Sequence, residues 1–355
     1  MSTYGNALFY PDILLLLSVF YKLLIHKKNI EYKYKLFMTR LVILVISLII
    51  IVFLLILVLL SIYIRRIHLE QFNRVLHDVN RRMIEKKKKK KEKENEDKYI
   101  PKVIWTYWHS KQIPSLVQKC VMSWRRYNPD FEIVVLNADT YKEYISNSQE
   151  IVPDKFDSIT RFADFLRFQL LSEHGGIWMD ATIICNASLS WVVENENENE
   201  REYVGYFMPN FTTDDRYPII ENWFMACTKG SVFMRDWNRE VQRIRQFQDS
   251  DLYIEDVQKK GVNLQNLSSP SYLMCHAAAQ VVLQNKLAQI RSYSIDVRSA
   301  VDKSGPFYYL SEEDWDSYRG LQNMRSRYET PLVKLRGAER ATIEQYPSLE
   351  ETIFK

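Results

Sequence analysis

The sequence predicts an α/β fold with a mostly parallel central sheet, preceded by an N-terminal transmembrane helix and a charged stem. Three observations carry that reading. From residue 100 onward, strand-sized apolar runs alternate with helix-sized amphipathic ones, the arrangement that builds a parallel sheet. The stretch Arg161–Thr182 reads as a helix, a glycine stop and a short buried strand that ends on Asp180. Leu41–Ile64 is an uncharged apolar run of 24 residues, and about 20 such residues cross a bilayer core.

Taken in order, residues 1–40 contain an earlier apolar run, Leu8–Ile25, interrupted by Pro11, Asp12 and Lys22. Central charges are costly in a bilayer, so an interfacial helix is the expectation and a second span the alternative. The run 41–64 reads as the transmembrane helix, lying too far from the N-terminus and running too long for a cleaved signal peptide. Residues 65–98 form a basic stem and linker. Within it Leu69, Phe72, Leu76, Val79 and Met83 make a short heptad-like stripe, fitting an amphipathic stem or, alternatively, the pairing of two chains into a homodimer. Lys86–Lys91 and the acidic stretch after it form a low-complexity solvated linker.

The charge balance divides at the same place. Residues 1–98 carry 19 Lys+Arg against 9 Asp+Glu, and residues 99–355 carry 29 against 35. The basic character therefore belongs to the stem, while the large C-terminal domain, 99–355, is net acidic. That excludes a basic nucleic-acid-binding domain. The four cysteines have no CxxC spacing, which excludes a zinc ribbon or a disulfide scaffold. Basic residues flank the apolar run on both sides, and sequons occur at Asn186, Asn210 and Asn266. The expected localisation is a single-pass (alternatively two-pass) membrane protein, with its large domain facing either the cytosol or the Golgi lumen.

Within that domain, Val103–Trp108 reads as a buried, aromatic-rich first strand. A helix with Leu116, Cys120 or Val121, and Trp124 on one face follows, then a strand at Phe131–Leu136 and a helix capped by Asp139. In the central stretch, Phe162, Leu166 and Leu170 recur at helical spacing. Arg161, Asp164 and Arg167 are three apart, so a helix brings their charged heads together. Gly175 and Gly176 suit a left-handed helix stop, and Asp180 emerges at the carboxyl end of the strand Ile177–Met179, where ligands bind in open α/β sheets. An acid there, with an arginine one helix away, suits a metal ion holding a phosphorylated ligand.

Further on, Glu194–Glu202 reads as a solvated acidic loop, Tyr203–Phe207 as a strand and Asn210–Pro218 as a mobile polar loop. Ile220–Ala226 is an apolar strand around the polar pair Glu221-Asn222. Val232, Phe233, Trp237, Val241 and Ile244 mark a long amphipathic helix. Another helix begins at Tyr272 and holds His276 on its first turns, and Ser311 with Asp314 reads as a capping box before Trp315.

Four segments resemble the DXD-containing sugar transferases: the family 32 glycosyltransferases and, closer, the capsular polysaccharide synthesis proteins. They are Ile100–Trp105, the Asp164–Asp180 core, Glu221–Phe224 and Pro331–Leu335. The resemblance implies a GT-A-like nucleotide-sugar-binding fold and a membrane-anchored glycosyltransferase, with a nucleotide-sugar donor, a glycan or polysaccharide acceptor and Mn2+ or Mg2+ as cofactor. It implies that Asp164 and Arg167 contact the donor sugar, that Trp105 or Tyr107 packs on the base, that His276 meets a phosphate or the metal, and that Lys334 meets the diphosphate. Asp180 and Thr182 stand at the metal position; Thr182 occupies the place of the second aspartate, as the capsular branch tolerates. Transfer with inversion needs a general base near the acceptor hydroxyl. Glu221 is the first candidate and Asp215 (with Asp214) the next. The competing expectation is a catalytically silent sugar-nucleotide-binding or scaffold protein.

Overall fold

The structure, a computed structural model, describes residues 15–22, 39, 47, 54, 98–194, 201–285, 293–327 and 330–354. The chain divides into two compact units, Met1–Lys89 and Lys90–Lys355. The membrane placement expected from the apolar N-terminal run is corrected here. Among the described residues no helix is long and apolar enough to cross a membrane. The helical residues 15–22 rise only about 12 Å, against the ~30 Å of a bilayer core. The run 41–64 lies outside the described residues except for positions 47 and 54, as do the stem stripe and the lysine run.

The second unit is mixed α/β. Its main sheet has six strands in the order β2-β1-β3-β6-β5-β7: β1 Val103–Tyr107, β2 Glu132–Leu136, β3 Gly176–Met179, β5 Tyr203–Phe207, β6 Ile220–Cys227 and β7 Ile295–Ser299. β1 pairs in parallel with β2 and β3, and β5 with β7; β6 alone runs against its neighbours β3 and β5. Five of the six strands thus point one way, so the expected mostly parallel sheet is present. A small antiparallel pair, β4 Ile183–Cys185 with β8 Leu332–Lys334, extends from the end of β3.

The strands are apolar on both faces because helices cover both. Side chains alternate across the sheet. Trp105, Trp178 and Met225 enter one core with the helices α2 (Ile159–His174), α3 (Val232–Ile244) and α5 (Met274–Leu283). Ile104, Ile177 and Phe224 enter the other with α1 (Ser115–Tyr127) and α6 (Ser317–Arg327). A further helix, α4 (Ser250–Lys259), packs on α5, and α7 (Gly337–Gln345) follows β8. All four cysteines are buried free thiols.

Local departures from the sequence expectations have local causes. After β2 the chain makes only a single turn, Tyr141–Glu143, because Asn137 Oδ1 accepts the amides of Asp139 and Thr140 and ties off a tight loop. Ser311 closes a one-turn helix, Asp314 and Trp315 adopt positive φ, and it is Asp316 whose carboxylate accepts Arg319 N at the start of α6. The acidic loop lies outside the described residues at 195–200.

Candidate active site

Two adjacent glycines set the site. α2 begins at Ser158, whose hydroxyl accepts Arg161 N, and ends at Gly175 with φ +66°. Gly176 follows at φ +92°, and a Cβ there would lie 2.8 Å from Val103 O. Only glycine reverses the chain this tightly against β1. The reversal seats β3 beside β1 and runs it back along α2, which brings Asp180 at its end beside Arg167 in the middle of the helix.

On α2 the charged heads meet as the spacing of three predicts. Arg161 is 3.8 Å and Arg167 3.3 Å from the carboxylate of Asp164. Arg167 is nearly fully buried and is held from five sides. It donates to Asn222 O at 2.5 Å and Ala163 O at 3.3 Å, reaches Asp180 Oδ1 at 3.2 Å, pairs with Asp164, and stacks 5.0 Å from the centre of the Trp178 ring. Asn222 in turn donates to Asp164 Oδ1 at 3.2 Å. Asp180 accepts the Trp178 indole N–H at 3.1 Å and, on its other oxygen, the Lys334 ammonium at 2.7 Å.

The two carboxyl groups are driven apart. Burial pushes Asp164 above the usual carboxylate range against the pull of Arg167 and Arg161. At Asp180 burial pushes the same way, but Arg167 and Lys334 together outweigh it and hold the group low. Asp180 is therefore held as the anion, while burial gives Asp164 the greater affinity for a proton.

Asp180 opens on a cavity of about 560 Å³. The cavity is lined by Tyr107, Trp108 and His109 from the end of β1, by Arg167, Trp178 and Thr182, and by Lys334, Arg336 and Arg340. The excess of cations suits an anionic ligand. A smaller pocket of about 140 Å³ adjoins it, sharing Arg167 and Asp180 and adding Asp164, Asn222 and His276.

The structure thus brings Tyr107, Arg167, Asp180, Thr182 and Lys334 to one cavity, with Asp164 and His276 in the pocket beside it. His276 is buried, its Nε2 3.4 Å from Glu221 Oε2 and its Nδ1 without a hydrogen-bond partner. Glu221 is buried behind that histidine and lines neither pocket. Trp105 lies in the core, its indole N–H donating to Gly175 O and its ring packed on Tyr144, away from the cavity. Asp215 is exposed on a loop that lines neither pocket. Arg336 and Arg340 were not anticipated, although their clustering just after Lys334 is visible in the sequence.

The residues at the metal position do not fit Mn2+ or Mg2+. Both oxygens of Asp180 already face cations, so an ion placed there would have to displace them and sit against two like charges. The Thr182 hydroxyl is buried and donates to Leu335 O at 2.9 Å. Among the described residues no three His, Cys, Asp or Glu side chains are grouped to hold a metal, whereas these hard ions seek several oxygen donors.

A mixed sheet with an acid at a strand end, a buried Asp–Arg pair beside it and a cationic cavity defines an α/β protein whose candidate site, at the carboxyl edge of the sheet, has the charge that suits an anionic ligand. The particular family follows from sequence: residues 59–251 match the capsular polysaccharide synthesis protein family, and the chain belongs to it. It is also similar to an O-glycosyltransferase of Annulohypoxylon truncatum, braB, with 27% identity over 154 residues, 38% of this chain and 36% of that one. Inositol phosphoceramide mannosyltransferase 3 of Schizosaccharomyces pombe is 30% identical over 99 residues, 27% of this chain and 28% of that one. The matches therefore span about a third of these relatives' length. Among solved structures, a glycosyltransferase involved in glycosylation of the major capsid of PBCV-1 aligns over 71% of this chain and 97% of that one, with a TM-score of 0.40 and 10% identity.

Proposed function

We propose that the chain is a GT-A-like glycosyltransferase that moves a sugar from a nucleotide-sugar donor to a glycan or polysaccharide acceptor. The observation that carries this reading is the Asp164–Arg167–Asn222 cluster set against Asp180, beside a cavity rimmed by Lys334, Arg336 and Arg340. Such a site offers hydrogen-bond acceptors to sugar hydroxyls and cations to a diphosphate. Transfer breaks the bond from the anomeric carbon to the diphosphate oxygen and forms one to the acceptor oxygen. The acceptor's proton must leave, and the diphosphate departs with an extra negative charge that the cations stabilise. Tyr107, at the end of β1, is the aromatic candidate for the base. Glu221 lines neither pocket, so the proton would reach it through His276, which lines the smaller one and lies 3.4 Å from its carboxylate.

Thr182 favours a second reading, a silent donor-binding protein, because its hydroxyl is spent on Leu335 and offers nothing to a ligand. One experiment separates them: the full chain incubated with a panel of nucleotide sugars, following donor hydrolysis and transfer. We expect turnover with at least one donor. Asp164→Asn should cut its kcat/KM by roughly 10- to 100-fold, the worth of one hydrogen bond to a charged group. Binding without turnover of any donor would favour the silent protein.

A further inference from the structure

Lys334 is held where a loose surface lysine would not be. Its strand β8 pairs with β4 immediately beyond Asp180, with Ile183 opposite Lys334. Thr182 and Leu335 exchange hydrogen bonds in both directions, Leu335 N to Thr182 O and the Thr182 hydroxyl to Leu335 O. The Lys334 amide donates to Pro306 O and its carbonyl accepts the Tyr309 hydroxyl. The backbone is fixed on both sides, the side chain is only 10% exposed, and the ammonium lands on Asp180 Oδ2 at 2.7 Å. A buried ammonium is expensive unless it is paired, and here the pair lines the main cavity.

The charge arithmetic of the site then closes without a metal. Two carboxylates with a divalent ion carry no net charge. With threonine at 182 one carboxylate is gone, and Asp180 with a single ammonium reaches the same balance. Arg167 and Asp164 cancel one another beside them and Arg336 is paired with Glu339, which leaves Arg340 as added positive charge on the cavity wall. We propose that Lys334 stands in for the divalent cation, neutralising the donor's departing diphosphate, and that Asp180 is the counter-ion that holds the ammonium in the resting site. This rests on the nucleotide-sugar reading above. Thr182 in this scheme is the clamp that holds β8, and with it Lys334, against the end of β3.

The test is calorimetric titration of the full chain with inorganic pyrophosphate and with UDP, in buffer containing EDTA and in buffer containing MnCl2. We expect the wild-type Kd to agree within about twofold between the buffers. Lys334→Met should weaken binding at least tenfold, and Lys334→Arg should restore most of it. Asp180→Asn gives the opposite signs for the two schemes and does not depend on the lysine variants folding: a metal ligand's loss would abolish binding, whereas freeing Lys334 should leave it unchanged or tighten it severalfold. Binding that requires Mn2+ and vanishes in Asp180→Asn would overturn the inference while leaving the donor reading intact. Absence of binding by either probe in both buffers would overturn the donor reading and the inference together.

Discussion

Arg167 is the side chain on which both carboxylates depend, so Arg167→Met gives the sharpest test of the site's electrostatics. The substitution removes the partner of Asp164 at 3.3 Å and of Asp180 at 3.2 Å, and a charged hydrogen bond to Asn222 O. Breaking a buried ion pair on one side costs about 3–5 kcal/mol. Asp180 keeps Lys334 and is one-quarter exposed, which argues for the lower end, about 3 kcal/mol. At 2–4 °C per kcal/mol for a domain of this size that is a fall in Tm of roughly 6–12 °C. The penalty also has a signed pH dependence. Arg167 and Lys334 hold the folded Asp180 low, so its stabilisation is present above the unfolded value of about 3.9 and is lost as pH falls through the folded value. Without the guanidinium both carboxyls rise and take up protons earlier, so the penalty should be greatest above about pH 5 and shrink towards pH 4. Urea unfolding of wild type and variant at pH 7.5 and 4.5 measures it. A loss below 1 kcal/mol at pH 7.5, or an equal loss at both values, would refute the claim that Arg167 pulls both carboxyls below where burial alone would put them.

Two further outcomes follow from the structure. Gly176→Ala must place a Cβ 2.8 Å from Val103 O at φ +92°, so it should cost at least the ~1–3 kcal/mol of a strained backbone position and lower the Tm read by thermal unfolding accordingly. Glu339, fully buried, accepts from the Arg336 amide and guanidinium and from Ser317, and those partners hold its carboxyl low against burial. Its contribution is present above about pH 4.3 and lost as pH falls through the folded value; Glu339→Gln should therefore cost roughly 2 kcal/mol at pH 7 and flatten the acid limb of a Tm-against-pH curve.

The parts of the fold that were legible are those whose signals are local. Apolar spacing, the Gly175-Gly176 stop and the carboxylate after Ile177-Trp178-Met179 lie within one helix–strand unit, so periodicity and backbone chemistry suffice to place α2, β3 and Asp180. The reversed direction of β6 was not legible, because a strand's residue pattern is the same whichever way it runs. Helix α6 begins later than expected for a similar reason: Ser311, Asp314 and Asp316 are all good caps, and tertiary packing of Trp315 selects among them.

The site divides along the same line. Trp105 and Tyr107 share a face of β1, so alternation cannot rank them as ligand contacts; the two-residue step from one to the other amounts to about 6.6 Å of strand, enough to leave Trp105 beneath Gly175 while Tyr107 reaches the cavity. Lys334 was visible only through resemblance, and its partner is 154 residues away. No spacing rule connects them. What connects them is the exchange of hydrogen bonds between Thr182 and Leu335, and this changes the meaning of the missing second aspartate. Viewed along the chain, threonine at 182 is half of a lost metal site; viewed across the β4–β8 pair, it is the contact that carries a cation to Asp180. An aspartate at 182 would place a second charge where a buried hydroxyl now donates, face the Leu335 carbonyl with an acceptor, and loosen the strand that holds Lys334. The threonine and the lysine therefore belong to one device, and neither is interpretable without the other.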